Sequence, residues 1–476
     1  MSHATEKPAA HAIPPAACAT EPLLSAGPSP RSKPRRRHAE AGGLSRRGVL
    51  RGAGVLALGN ASPAFVGAAE PQTLRFLWWG GGDRHQRTLK AIAAFETRHP
   101  GVRIKAEYMG SVGYLEKLTM QMAGGTEPDI MQINWAWLNM FSRQGTGFLD
   151  LGTQREALGL DEFSDEDLAL CTVGGRLNGL PVSYTARIFL WNAAAYERAG
   201  LALPVTWDDL FNAAPAFRRA HGERAYPIDG EVYDMLLLSQ AFVFQQHGTP
   251  YVHPTEPRVA MSPAALTDWV KTYKRLFSSG AATPVPYRAS LGGAEKPLEQ
   301  QPDWVVGRWG GTYTWDTVLR SRQSTLDKQQ RLDIGPFLTL PGAKNSGMFG
   351  RPTALYAVSK RTRHAATAAR FLKFMLADPE AAKLLTLTRG VPPTASAYQA
   401  LERDRLLPPL ELKAYRQIQA QRQAGRIDLP SMRFEDARFR RFLREIFELL
   451  GYDRISITDA ARRLLDDGNA LLARIK

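Results

Sequence analysis

The sequence predicts an α/β protein of two lobes, each an open, mostly parallel sheet flanked by helices. Three observations carry that reading. At 476 residues the chain is too long for one ordinary core and suits two. Its 44% hydrophobic, 22% charged and 9% aromatic residues are globular values, which excludes disordered and collagen-like classes. Most directly, the first part of the body alternates strand and helix patterns in the order β-α-β-α-β-α.

Residues 1–44 are rich in Pro, Ala and Ser without a helical period, and read as a disordered extension. Then comes Ser45-Arg46-Arg47-Gly48-Val49-Leu50-Arg51, which resembles a twin-arginine export signal. A weakly apolar run from Gly48 to Gly59 follows, about half the roughly 20 residues needed to span a bilayer. Val66-Gly67-Ala68-Ala69 suits cleavage before residue 69 or 70. With no Cys at that point, the expectation is a free periplasmic product exported through the twin-arginine translocase.

Beyond the leader, residues 73–79 read as a strand ending in Gly80-Gly81-Gly82, and Asp83 as a cap for a helix with Leu89, Ile92 and Phe95 on one side. Pro100-Gly101 stops it. Residues 102–108 alternate, with Val102, Ile104, Ala106 and Tyr108 on one face, as a half-buried strand does. A second helix, 114–122, ends at Gly124-Gly125. A third strand, 129–133, leads into a helix near Trp135. The second half reads as another α/β unit: Thr206-Trp207-Asp208-Asp209 as a capping box, 229–247 as a helix, 303–315 as strand-like, and mostly helix from Ala365 onward.

The net charge is +15, but residues 1–69 contribute nine basic and three acidic residues, leaving +9 for the rest. No dense basic run follows the leader, so nucleic-acid binding is not indicated. Of two cysteines, Cys18 lies in the leader and Cys171 stands alone in the body, which precludes an internal disulfide there. No HExxH, zinc-spaced Cys/His cluster or GxxxxGK[ST] occurs, so no metal or cofactor is expected.

In open α/β sheets ligands bind beyond the carboxyl ends of the strands. Two such ends carry aromatics: Trp78-Trp79-Gly80 and Asn134-Trp135-Ala136-Trp137. Flat rings beside helix N-termini suit a sugar, whose C–H face stacks while amides meet its hydroxyls. Because strand side chains alternate, Trp79 rather than Trp78 is the candidate, with Asn134 and Trp135. Trp137 is read equally as core. Trp309 and Tyr313 flank the Gly310-Gly311 bend, which allows close backbone approach by a ligand or simply a turn.

Taken together, Trp78-Trp79-Gly80-Gly81, Ala94-Phe95-Glu96 with Pro100, Ala123 to Ile130, Gly179-Leu180-Pro181-Val182, Thr206 to Leu210, Gly310-Gly311-Thr312 and Asp333 to Phe337 with Leu340-Pro341-Gly342 resemble, in order and spacing, the bacterial extracellular solute-binding proteins of the maltodextrin-binding class. Residues 83–86 and 131–141 look closest to members that bind oligogalacturonides. The resemblance implies the type II periplasmic-binding-protein fold with a hinge crossed several times, near 183–187, 308–311 and 350–353. Lobe 1 would be 70–184 and 310–350; lobe 2 would be 185–309 and 351–476. It implies a monomer that captures an oligosaccharide between the lobes and delivers it to an inner-membrane ABC permease. Tyr184 and Arg187 lie by the first crossing, where Arg187 reads as a cleft residue or a solvated charge. Asp229, Glu231 and Tyr233 fall where sugar contacts from lobe 2 are implied, though Asp229 or Glu231 equally reads as a helix cap. Arg351 lies by the last crossing; with Arg187 and Arg84 it reads either as a grip on a uronate carboxylate or as one of three unrelated surface arginines. The competing reading is an exported glycosidase or lyase. Asp229 and Glu231 would be its carboxylates, but they are near neighbours without an opposing partner.

Overall fold

The computed structural model describes residues 71–293 and 296–475. The leader and its export signal lie outside the described residues. Strands β1 (Gln72–Trp79), β2 (Val102–Met109), β3 (Ile130–Asn134), β4 (Thr172–Val173), β5 (Arg176–Leu177), β6 (Leu180–Pro181), β7 (Tyr184–Asn192), β8 (Gly311–Trp315), β9 (Leu332–Ile334), β10 (Met348–Pro352), β11 (Ala354–Val358) and β12 (Ile427–Asp428) form two five-stranded sheets and a small β4–β5 hairpin.

The first sheet runs β2-β1-β3-β11-β6. Its first three strands are parallel, while β11 and β6 join antiparallel. The sequence reads clearly here because β2 is an edge strand with one solvated face, and Arg103 and Lys105 alternate with buried Val102 and Ile104. The β3 run is buried from Ile130 to Ile133, Gln132 included, because both its faces are covered. The helix Gly82–Arg98 starts at Gly81 without a side-chain cap. Asp83 instead pairs with Arg87 one turn on, at 2.9 Å.

The second sheet runs β12-β10-β7-β8, with β9 also on β7. Only β10–β12 is parallel, and the other three pairings are antiparallel. The two-lobed architecture therefore holds, but the expected mostly parallel sense does not extend to this lobe. Residues 303–315 are not one strand either. Pro302 starts a short helix to Val305, Gly307 at φ 74° turns the chain, and β8 begins only at Gly311.

The lobe boundaries need correction. Residues 310–350, expected in lobe 1, pack in the second core: Tyr313, Leu332, Ile334, Phe337, Met348 and Phe349 join Phe189, Trp191 and Trp269. The first core instead takes Leu355, Val358, Phe371 and Leu385, with Phe76, Ile130 and Ile133. The chain passes between lobes at 182–184 and 352–354, where the two segments run side by side. Val182 N–H donates to the Ala354 carbonyl at 2.9 Å, Thr353 N–H to the Ser183 carbonyl at 2.9 Å, and the Ser183 and Thr353 hydroxyls meet at 2.7 Å. A third passage is 404–408. It follows the helix Ala395–Arg403, whose Ala397 and Leu401 pack on Ala382, and precedes the helix Pro409–Gln423, whose Ala414 and Ile418 enter the second core. No crossing occurs at 308–311, because Trp309 and Gly311 pair with Tyr226 and Asp229 inside the second lobe.

Candidate functional site

The first-lobe side of the cleft starts where β1 ends. Trp78 is fully buried against Phe76 and donates its indole N–H to His85 Nδ1 at 3.0 Å. Trp79 points the other way and is half-buried, its ring 4.9 Å from Tyr114 and 5.6 Å from Trp137. Alternation thus puts Trp78 in the core and leaves Trp79 half-buried on the other face. Asn134 is half-buried and caps the next turn, its carboxamide oxygen accepting from Ala136 N–H at 3.1 Å. Trp135 is a core residue, 2% exposed, with its indole N–H on the Leu170 carbonyl at 2.8 Å. The tight turn after β3 sends Trp135 inward and leaves Trp137 as the half-buried ring beside Trp79.

Arg84 does not join the other two candidate arginines. It folds back across Gly80, donating from Nε to the Thr388 carbonyl at 2.9 Å and from Nη1 to the Trp79 carbonyl at 3.3 Å. Burial, reinforced by the nearby Arg389 charge, pushes its pKa down to about 10.

Arg187 and Arg351 share a neighbour in Trp315. Neighbouring strands β7, β8 and β10 bring their guanidinium carbons to 5.0 and 4.9 Å from the Trp315 ring centroid. Arg187 pairs with Asp234 at 2.6 Å and also donates to the Tyr313 carbonyl at 3.0 Å. Arg351 pairs with Glu435 at 3.0 Å. Tyr233, 4% exposed at the start of the helix Val232–His247, lies among Arg440, Arg444 and Arg187, at 4.6, 5.6 and 5.9 Å.

Asp229 and Glu231 share one partner, with Arg288 Nε 3.3 Å from Asp229 and Nη2 2.8 Å from Glu231. Burial raises the Asp229 pKa to about 7 against the opposing pull of Arg288. Trp309 and Tyr313 are fully buried in the second core, contrary to expectation. The Gly310-Gly311 bend explains them. A Cβ on Gly310 would come 2.4 Å from Phe217, and one on Gly311 2.2 Å from Trp191, so the glycines admit the core's own rings. Tyr184 is half-buried at the hinge under the Arg422 guanidinium, 4.0 Å away.

Three spaces between the lobes flank the hinge. One, about 240 Å³, is lined by Glu166, Asp167 and Arg422. Another, about 650 Å³, lies between Gly81–Arg84 and Leu387–Val391 on one side and Asp316–Ser324 with Glu411 on the other. The third, about 260 Å³, lies between Trp135–Asn139 and Leu429–Arg433. Sequence reasoning missed Trp315, Asp234, Glu435, Arg440 and Arg444. For the last two, the four-residue spacing on an amphipathic helix was the available signal.

A two-lobed α/β molecule with a three-segment hinge crossing and a charged space between the lobes defines a hinged ligand-binding protein. Residues 82–382 match the bacterial extracellular solute-binding protein family model, and the chain belongs to that family, whose members are binding proteins. It is similar to a periplasmic solute-binding protein from Pectobacterium atrosepticum, with 35% identity, TM-score 0.78, and 85% of this chain and 99% of that one covered. It is also similar to a periplasmic oligogalacturonide-binding protein from Yersinia enterocolitica in complex with saturated digalacturonic acid, at 34% identity, TM-score 0.76 and the same coverage. A putative binding protein of Brucella abortus is 28% identical over 194 residues, 40% of this chain and 46% of that protein, so the alignment spans about half of that curated relative. Among the described residues, no helix is long and apolar enough to cross a membrane, and no group of three or more His, Cys, Asp or Glu is placed to hold a metal.

Proposed function

We propose that this protein is the periplasmic substrate-binding component of an ABC importer. It captures an oligosaccharide carrying uronate carboxylates between its lobes and passes it, unaltered, to an inner-membrane permease. The twin-arginine translocase exports it and it acts as a monomer. The observation that carries the acidic-sugar reading is the surplus of guanidiniums around the Trp315 and Tyr233 rings, where Arg187 and Arg351 are joined by Arg440 and Arg444. The digalacturonic acid held by the Yersinia protein supports the same ligand class.

The enzyme reading is less favoured. A glycosidase needs two carboxylates facing across the scissile bond, whereas Asp229 and Glu231 are held on one arginine. The test is calorimetry with digalacturonate and its carboxyl-reduced, neutral counterpart, with product analysis after prolonged incubation. Tighter binding of the acidic sugar without turnover is expected. Equal or better binding of the neutral sugar would remove the uronate specificity. Cleavage would replace the receptor by an enzyme.

A further inference from the structure

Arg187 and Arg351 are poorly placed to read a carboxylate on a ligand, because each already holds one of the protein's own. They are 3% and 9% exposed and paired at 2.6 and 3.0 Å with Asp234 and Glu435. Drawing Arg351 to a second anion would leave the Glu435 carboxylate, 4% exposed, uncompensated, and drawing Arg187 away would leave the half-buried Asp234 without its pair, both of which are unfavourable.

The helix Ala437–Gly451 carries two guanidiniums in a different state. Arg440 and Arg444 are one turn apart and share a face, both set against the Tyr233 ring at 4.6 and 5.6 Å. Arg440 is half-buried and Arg444 exposed. Among the described residues neither forms an ion pair within 4.0 Å. Glu435 and Asp234 act on Arg440 only through space. Arg444 also lines a cavity of about 140 Å³ with Glu231, Tyr233 and Arg288, which leaves room beside it for a substituent. The ring that both face is buried, 4% exposed, at the head of its helix.

We infer that Arg440 and Arg444 are the specificity-determining pair that reads the uronate carboxylate, while Arg187 and Arg351 are positioning residues that hold Trp315 and Tyr233. This rests on the acidic-oligosaccharide reading above. A guanidinium backed by an aromatic face presents its planar fork edge-on to a carboxylate, and two parallel N–H donors then fix its orientation. Such charge-assisted bonds are shorter and stronger than neutral ones.

The experiment is calorimetry with digalacturonate and its carboxyl-reduced counterpart on the full chain. It compares the wild type, Arg440→Gln, Arg444→Gln, the double variant, Arg440→Lys, and Arg441→Gln as an exposed control on the same helix. Thermal melts verify folding. The double variant should lose about tenfold or more in affinity for the acidic sugar and little for the neutral one. Arg440→Lys should fall between, because it keeps the charge without the fork. The Arg441→Gln control should behave as wild type. If Arg440→Gln fails to fold, Arg444→Gln alone, at an exposed position, should still reduce the preference. An undiminished preference in the folded double variant, or equal losses for both sugars, would overturn the assignment while leaving the acidic reading intact. A wild type without any acidic preference would overturn that reading and this pair with it.

Discussion

Arg422, on the second lobe's helix Pro409–Gln423, reaches across the hinge to Asp167 of the first lobe at 2.8 Å and to Glu166 at 3.1 Å. The Arg422 and Asp167 side chains are 6% and 8% exposed, and the guanidinium stacks on Tyr184, where the chain enters the second lobe. Burial opposes the Arg422 charge, but the two carboxylates outweigh it and raise its pKa. The lobes are thus tied by an ion pair as well as by backbone.

Removing one partner of this pair should cost more than removing both. Arg422→Met leaves Asp167 buried and unpaired and should lower stability by about 3–5 kcal/mol. Arg422→Met with Asp167→Asn should recover part of that loss. Chemical denaturation of the wild type, both single variants and the double variant gives the coupling energy. Additive effects would mean that the pair contributes no specific stabilisation.

The two tryptophans after β3 should separate into a fold residue and a ligand residue. Trp135→Ala empties a fully packed position and should cost about 3–5 kcal/mol of stability. Trp137→Ala should leave the melting temperature nearly unchanged and weaken sugar binding by about 1 kcal/mol, close to fivefold. Parallel melts and titrations check both, and the reverse pattern would place Trp137 in the core.

Stability should carry a signature of buried acids. Burial alone raises the Asp428 pKa from 3.8 to about 7, and burial also lifts Asp316 to about 6 despite the Thr185 hydroxyl that donates to it. An acid with a raised folded pKa binds its proton more tightly when folded. Its stabilising contribution is full below about pH 4 and is lost as pH rises through 6 to 7. Asp428→Asn, neutral throughout, should therefore gain stability relative to wild type across that interval. Melting temperatures of both proteins at a series of pH values test it. A constant difference would mean that Asp428 titrates normally.

Ligand should also close the lobes. On the proposed reading the first lobe offers Trp79 and Trp137 and the second Arg440 and Arg444, so full contact requires hinge motion. Small-angle scattering should show a smaller radius of gyration at saturating digalacturonate. No compaction would argue for binding on one lobe alone.

The sequence by itself determined the local and periodic features. The β1–β3 alternation, the capping box at Thr206–Asp209, realised in full, and the opposite facing of Trp78 and Trp79 all follow from side-chain period and short-range hydrogen bonding, which neighbours in the chain decide. The order of the motifs was enough to indicate the family. Tertiary structure alone decided what depends on long-range pairing. Residues 310–350 belong to the second core because β8 and β10 find β7 across more than a hundred residues, and no local pattern encodes that choice. For the same reason Trp135, Trp309 and Tyr313 carry the composition of a sugar site yet lie buried in the two cores. Arg187 and Arg351, each plausible as a free cation in the sequence, meet Asp234 and Glu435 only once the strands and helices are packed. An arginine's availability depends on what is left unpaired around it after folding, which is why Arg440 and Arg444 were not legible until the lobe was assembled.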